Sequence, residues 1–329
     1  MNLVSIAEGN GGQENKKLIE KMFFKSFKND MLQAEDSAIF DSNYAFTTDS
    51  FIVNPIFFSG GNIGKLAICG VCNDLAMMGA RPKYISFAVI LEEGFDKNLL
   101  QQIVKSVSDE VCINGAKIIT GDTKVAPKGS VDKIFINCSA IGEVVQKNLS
   151  SKNLQVGDAI IVSRDIGAHG ATIFANREGI DLSSNLQSDC TSLWPIIDGL
   201  IESGIKIKCM RDATRGGIAA VLNEWSEASN VCIEVKESKI PVSNEVQGIC
   251  EMLGFEATSL ANEGTFVLCV ENSEVQQALN VLRRYEKSHN CSEIGQVTNQ
   301  FLGKVIISND FGTMRFLEMP SGELLPRIC

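Results

Sequence analysis

The feature that most constrains the fold of this chain is a polar run, Gln146-Lys147-Asn148-Leu149-Ser150-Ser151-Lys152-Asn153, after which an alternation of strands and helices starts again. Before it, Tyr44 to Thr48, Tyr84 to Leu91 and Ile134 to Val144 read as strands. Ile63 to Met78 and Leu99 to Asn114 carry the apolar spacing of helices, with Gly79 and Gly115 at or near their ends. After it come strands at Ala159 to Ser163, Val231 to Val235 and Phe266 to Val270. Helical stretches lie around Leu193 to Ser203, Ile218 to Ala228 and Val275 to Lys287, and closing strands lead to the C-terminus. At 329 residues the chain exceeds the size at which one hydrophobic core stops growing. Two domains are therefore expected, 1–150 and 151–315, followed by a mobile tail at 316–329. The alternation predicts an α+β fold with mixed α/β layers.

Composition excludes several classes of function. No apolar run approaches the roughly 18 residues that a membrane span needs. The segment Met1 to Asn15 has neither a basic start nor an apolar stretch, so no secretory signal is expected. Eleven cysteines without a spacing pattern then read as small buried hydrophobes of a protein in a reducing cytoplasm. A formal net charge of −10 argues against a nucleic-acid partner, which needs a basic face. Only His169 and His289 are present, which leaves little room for a histidine triad or a zinc site. Cys69-Gly70-Val71-Cys72 lies inside an apolar helical pattern and reads as core.

The C-terminal stretch Leu324-Leu325-Pro326-Arg327-Ile328-Cys329 puts a thiol at the tip of an arm. Pro326 fixes its own φ and biases Leu325 toward extended geometry, so this segment is not expected to end as a helix. Arg327 favours the thiolate, and the adjacent terminal carboxylate opposes it. A prenylation signal would need its cysteine fourth from the end. A frayed terminus with an incidental cysteine remains the competing reading, although Phe316, Leu317, Leu324, Leu325 and Ile328 are unusually apolar for one.

Acidic residues recur in short polar or glycine-bearing contexts: Glu35-Asp36, Thr47-Thr48-Asp49-Ser50, Asn73-Asp74 and Gly121-Asp122-Thr123-Lys124. Carboxylates on separate loops or element ends suit Mg²⁺ on a nucleotide triphosphate, because Mg²⁺ takes hard oxygen ligands and bridges phosphate oxygens. Each alone is as well explained by a turn or a cap. Two glycine-rich loops, Glu8-Gly9-Asn10-Gly11-Gly12 and Arg211-Asp212-Ala213-Thr214-Arg215-Gly216-Gly217, let backbone approach phosphate, and Arg215 has the geometry to bind it bidentately. Ser59-Gly60-Gly61-Asn62-Ile63-Gly64-Lys65-Leu66 is a P-loop decoy, with Ser59 for the first glycine and Leu66 for the Mg²⁺-binding hydroxyl. It reads as a helix N-terminus.

Thr47 to Phe51, Gly60 to Ala67, Asn73 to Ala80, Gly121 to Val125, Asp212 to Gly217, Asn262-Glu263-Gly264 and the Pro-Arg-Ile-Cys end together resemble one family over nearly the whole chain. It is the HypE family of hydrogenase maturation factors. Its superfamily also holds aminoimidazole ribonucleotide synthetase, selenophosphate synthetase and thiamine monophosphate kinase. The resemblance implies a two-domain aminoimidazole ribonucleotide synthetase-like fold and a homodimer paired through the N-terminal domains. It implies ATP contacts from Asp36, Asp49, Lys65, Asn73, Asp74, Asp122, Thr123, Asp212 and Arg215, with Mg²⁺ on Asp36, Asp49, Asp74 and Asp122. The implied reaction is ATP-dependent dehydration of a carbamoyl group, loaded onto Cys329 by the carbamoyltransferase HypF, to a thiocyanate. Its cyanide passes to iron on the HypC–HypD scaffold for [NiFe]-hydrogenase. Lys124 would neutralise charge on the transferred phosphate, and Glu263, otherwise a turn residue, would take the nitrogen protons. The first glycine loop departs from the family, with Glu8 where histidine or aspartate is usual. Another ATP-dependent phosphotransferase of the superfamily and a non-enzymatic nucleotide-binding scaffold are the alternatives.

Overall fold

The computed structural model describes residues 3–27, 29, 31–32, 34–180 and 186–322. After α1 (Gln13–Leu18), its π-helical continuation and α2 (Lys25–Phe27), the chain lays down β1 (Ala38–Phe40), β2 (Tyr44–Phe51) and a small hairpin of β3 (Phe57–Phe58) and β4 (Gly61–Asn62). Then follow α3 (Ile63–Met77), β5 (Ala80–Glu92), α4 (Lys97–Ile113), β6 (Lys117–Ala126) and β7 (Ile134–Val144). These form a five-stranded sheet in the order β1-β2-β7-β5-β6, in which only β5 and β6 run parallel. Residues 145–158, which contain the polar run, hold no strand or helix.

The second half is built from β8 (Ala159–Val162), α5 (Ala168–Glu178), α6 (Trp194–Glu202), β9 (Ile207–Asp212), α7 (Gly217–Ser229) and β10 (Cys232–Lys236). It continues with α8 (Asn244–Leu253), β11 (Phe266–Val270), α9 (Val275–Leu282), β12 (Ser292–Thr298), β13 (Lys304–Ser308) and β14 (Met314–Phe316). The seven strands are ordered β14-β13-β10-β12-β8-β11-β9. The architecture is the expected mixed α+β one. Strands β1, β3, β4, β6 and β9 and helices α1, α2, α5 and α8 lie outside the elements expected from sequence, and Arg211-Asp212, expected in a glycine-rich loop, ends β9.

Helix α3 joins the two halves. Asn62 caps it, its side chain accepting from Gly64 N at 2.9 Å and Lys65 N at 3.1 Å, so the glycine loop before it is the helix start its sequence implied. Every α3 residue is buried except Lys65 and Asp74. A helix apolar on all sides needs partners on all sides. One face of α3 packs on the first sheet through Leu66, Val71 and Phe51, while Ala76 and Met77 join a second core with Trp194, Ile197 and Met210. At Gly64 a Cβ would stand 2.5 Å from the Ile103 carbonyl oxygen and 2.7 Å from its Cγ2. Gly64→Ala gains about 1 kcal/mol of helix propensity but loses roughly 1–3 kcal/mol to overpacking against backbone that cannot swing aside. A lower denaturant midpoint at unchanged slope is expected, and an unchanged midpoint would mean that α4 yields freely.

Two features differ from expectation. Gly121-Asp122-Thr123-Lys124 lies inside β6, not on a loop. The segment from Phe316 to Gly322 belongs to the body: Phe316 pairs with Ile306, and Leu317 is buried. The Leu317 amide donates to the Val305 carbonyl at 2.9 Å, and its own carbonyl accepts from Asn223 Nδ2 at 2.9 Å. The expected arm therefore reduces to residues 323–329, including Cys329, which lie outside the described residues. Of the ten described cysteines, all free, only Cys112 is exposed.

Candidate active site

Three segments distant in sequence meet at one place. The loop Glu8–Gly12 leads into α1, and Arg215 Nη1 donates to its Gly9 carbonyl at 3.3 Å. The Pro320 carbonyl accepts from Gln13 N at 3.0 Å, and Gly322 N donates to Glu14 Oε2 at 3.1 Å. A Cβ on Gly12 would lie 2.5 Å from the Pro320 oxygen, so the C-terminal segment sits directly on the glycine loop. Glu8, the residue that departs from the family, accepts from Ser5 N at 2.7 Å and secures the turn before the loop.

Beside this junction four aspartates share a buried space. Asp36 Oδ1 accepts from Arg211 Nε at 2.8 Å, and its Oδ2 is buried without a partner. Thr47 donates to Asp74 Oδ2 at 2.7 Å. Asp49 projects from the inner face of β2 toward α3, and Asp212 closes β9. Burial pushes the Asp36 carboxyl up to about 6 against the pull of Arg211. Asp74 is held well above the usual carboxylate range, first by burial and then by Asp212, Asp36 and Asp49. Burial followed by Asp36 does the same to Asp212, and burial raises Asp49 in spite of Arg215. Crowded carboxylates that oppose one another's ionisation, one with an orphaned oxygen, form a donor set suited to a hard divalent cation. Among the described residues no three of them close around a single point. Such a cation would complete its shell with water and phosphate oxygens, as Mg²⁺ does.

Asp122, Thr123 and Lys124 are not brought there. The register runs Asp122–Ala88–Asn137–Ser50, which puts Asp122 three strands, about 14 Å, from β2. Ser50 and Asn137 are exposed on the outer face of that sheet, opposite Asp49, and the mostly exposed Asp122 pairs with Lys124 at 3.1 Å. Lys65 Nζ donates to the Gly60 carbonyl at 3.1 Å and lies 3.9 Å from Glu110. The Asn73 amide is fully engaged: Nδ2 donates to the carbonyls of Thr191 at 3.0 Å and Glu263 at 3.5 Å, and Oδ1 accepts from Leu193 N at 2.8 Å. In this geometry Asn73 fastens the second domain to α3.

Glu263 sits on the second domain, 6% exposed, facing this cluster. Burial, then Asp212, Asp189 and Asp49, raise its carboxyl well above the usual range, which gives it a strong hold on a proton. Arg211 was overlooked in the sequence: it binds Asp36, Glu224 and, at 3.1 Å, the Ala34 carbonyl. Its place directly before Asp212 was the available signal.

The model of the AIR synthase related protein, N-terminal domain, matches residues 34–144, and that of the C-terminal domain matches residues 155–308. The chain is 41% identical to the carbamoyl dehydratase HypE of Escherichia coli (strain K12), with 100% of both chains covered. It superposes on the crystal structure of a HypE–HypF complex with a TM-score of 0.89 at 42% identity, covering 92% of this chain and 99% of that one. A crystal structure of hydrogenase maturation protein HypE in complex with ATP gives a TM-score of 0.84 at 39% identity, covering 97% and 98%.

Proposed function

Since the chain belongs to the HypE family of carbamoyl dehydratases, built from the two AIR synthase related domains, we propose that its carboxylate-lined cleft dehydrates a carbamoyl group carried on Cys329. The protein is an ATP-dependent enzyme of hydrogenase maturation. What carries the reading at the level of residues is the seat of Pro320–Gly322 on the glycine loop and Arg215, beside the aspartates. The last described residue before the thiol is thus anchored at the rim of the place where phosphate chemistry would occur.

The reaction divides into two proton losses. The amide oxygen of the Cys329 carbamoyl thioester attacks the γ-phosphorus of ATP, ADP leaves, and one N–H proton departs as the C=N bond forms. The C–O bond then breaks to release phosphate, the second N–H proton departs, and S–C≡N remains. Glu263 is the group placed to take nitrogen protons: it is buried on the second domain facing the aspartates, and in its ionised form a carboxyl so placed is a stronger base than an exposed one. Arg215 neutralises phosphate charge, and Asp36, Asp49 and Asp74, with Asp212 beside them, would hold Mg²⁺. The cation supplies charge neutralisation on the phosphates.

Asp122, Thr123 and Lys124 act, in this reading, through a homodimer. The outer face of the five-stranded sheet exposes Tyr44, Phe46, Tyr84 and Ile90, an apolar surface that pairing of N-terminal domains would cover. Asp122 and Lys124 lie on that face, so any part they take in chemistry is exerted on the second copy's cleft. HypF loads the carbamoyl group, the HypC–HypD iron scaffold receives the cyanide, and the setting is the cytoplasm. No helix among the described residues is long and apolar enough to cross a membrane.

Calorimetry tests the metal set. Asp49→Asn and Asp74→Asn each remove a charged ligand, and Mg–ATP affinity is expected to fall about 10- to 100-fold. Asp122→Asn weakens binding only if β6 reaches nucleotide across the dimer contact. Unchanged affinity in both Asp49→Asn and Asp74→Asn would move the nucleotide elsewhere.

A further inference from the structure

We propose that Asp189 is the positioning residue for Glu263, its buried carboxylate holding with both oxygens the turn from which that side chain projects. Oδ1 accepts from Glu263 N at 3.1 Å. Oδ2 accepts from Gly264 N at 3.0 Å and from Thr265 Oγ1 at 2.8 Å. Three donors on consecutive residues thus converge on one side chain that is 3% exposed. Hydrogen bonds to an ionised acceptor are shorter and stronger than neutral ones, and burial keeps water from competing.

The contact is tight as well as polar. A Cβ on Gly264 would fall 2.0 Å from the Asp189 carbonyl oxygen, so the turn and the Asp189 segment lie against each other with no room between. On the other side of the same residue, the Glu263 carbonyl accepts from Thr191 N at 3.2 Å and from Asn73 Nδ2 at 3.5 Å. Residues 189 to 191 therefore grip Glu263 at both its N–H and its C=O, and Asn73 relays that grip to α3. A general base must meet its proton within hydrogen-bond reach, and the backbone from which it projects decides whether it does. Asp189 also adds negative charge beside Glu263, which strengthens its hold on a proton.

The inference rests on Glu263 being the base. The experiment follows conversion of carbamoyl to cyano adduct on Cys329 in a single turnover, by mass of the C-terminal peptide, in Asp189→Asn, Glu263→Gln and the double variant. Asp189→Asn should load carbamoyl from HypF and bind ATP as the parent does, yet dehydrate about 10- to 100-fold more slowly, the cost of a displacement near 1 Å. The double variant should be no slower than Glu263→Gln alone, since a residue that acts through another has nothing left to act on. Asp189→Asn converting at the parent rate while Glu263→Gln stalls overturns the positioning role, as does a double variant in which the two losses multiply. Parent rates in both single variants overturn the base assignment beneath it. If Asp189→Asn does not fold, Thr265→Val keeps both N–H bonds and loses the hydroxyl. It should slow dehydration about 2- to 10-fold, without adding to Glu263→Gln, and an unchanged rate overturns the proposal.

Discussion

Cys329→Ala is expected to abolish carbamoylation while leaving folding and ATP binding as they are. The core clusters and both sheets are built from residues that precede the tail, and the described contacts of the C-terminal segment with the body run as far as Gly322. Removing a thiol seven positions beyond it takes no atom from any of them. The chemistry loses its only acceptor, so the expected change is from full loading to none. Intact mass after incubation with HypF, carbamoyl phosphate and ATP reads the result directly, with calorimetry confirming ATP affinity. A carbamoyl or cyano adduct on the variant would refute the terminal nucleophile. A parent protein that binds ATP yet never gains an adduct would instead favour a non-enzymatic scaffold.

Glu263→Gln should load carbamoyl normally and then stall. Glutamine keeps the size of the side chain and leaves the Glu263 N–H and C=O in their bonds to Asp189, Thr191 and Asn73, so the turn is retained. What it loses is the ability to accept a proton, and removal of a general base typically costs about 10²–10⁴-fold in rate. Relief of a buried carboxyl from its neighbours Asp212, Asp189 and Asp49 makes the variant as stable as the parent or more so, which separates a catalytic defect from an unfolding one. The C-terminal peptide should accumulate as the carbamoyl form. Cyano adduct appearing at the parent rate would remove Glu263 from proton transfer.

The strands and helices with unbroken periodicity were legible, and β7 and β11 match their sequence limits residue for residue. Strand β6 was not, because Gly121-Asp122 imitates a turn. In the sheet Gly121 is needed because a Cβ there would lie 2.3 Å from the Phe87 carbonyl oxygen, a contact that pairing creates and composition does not announce. Helix α5 begins Ala168-His169-Gly170, too poor in helical signals to be read, and is held by packing on its neighbours. The aspartates were legible as residue types. Their sorting was not: the alternation of β2 and the register across β7 and β5 send Asp49 inward and Asp122 outward. Asp189 carries no local signal at all, since its partners lie 74 to 76 positions away.

The anchoring of Pro320 and Gly322 on α1 also sets the kinetic order of the reaction. From Gly322 seven residues of chain can span at most about 25 Å, which bounds the distance of the thiol from the rim of its own cleft. A group tethered this way presents itself at an effective concentration in the millimolar range, whatever the concentration of the protein. Within an assembled dimer, dehydration is then first order in loaded enzyme and resists inhibition by free peptide of the same sequence. A loaded thioester held at such a concentration needs little affinity of its own for the site.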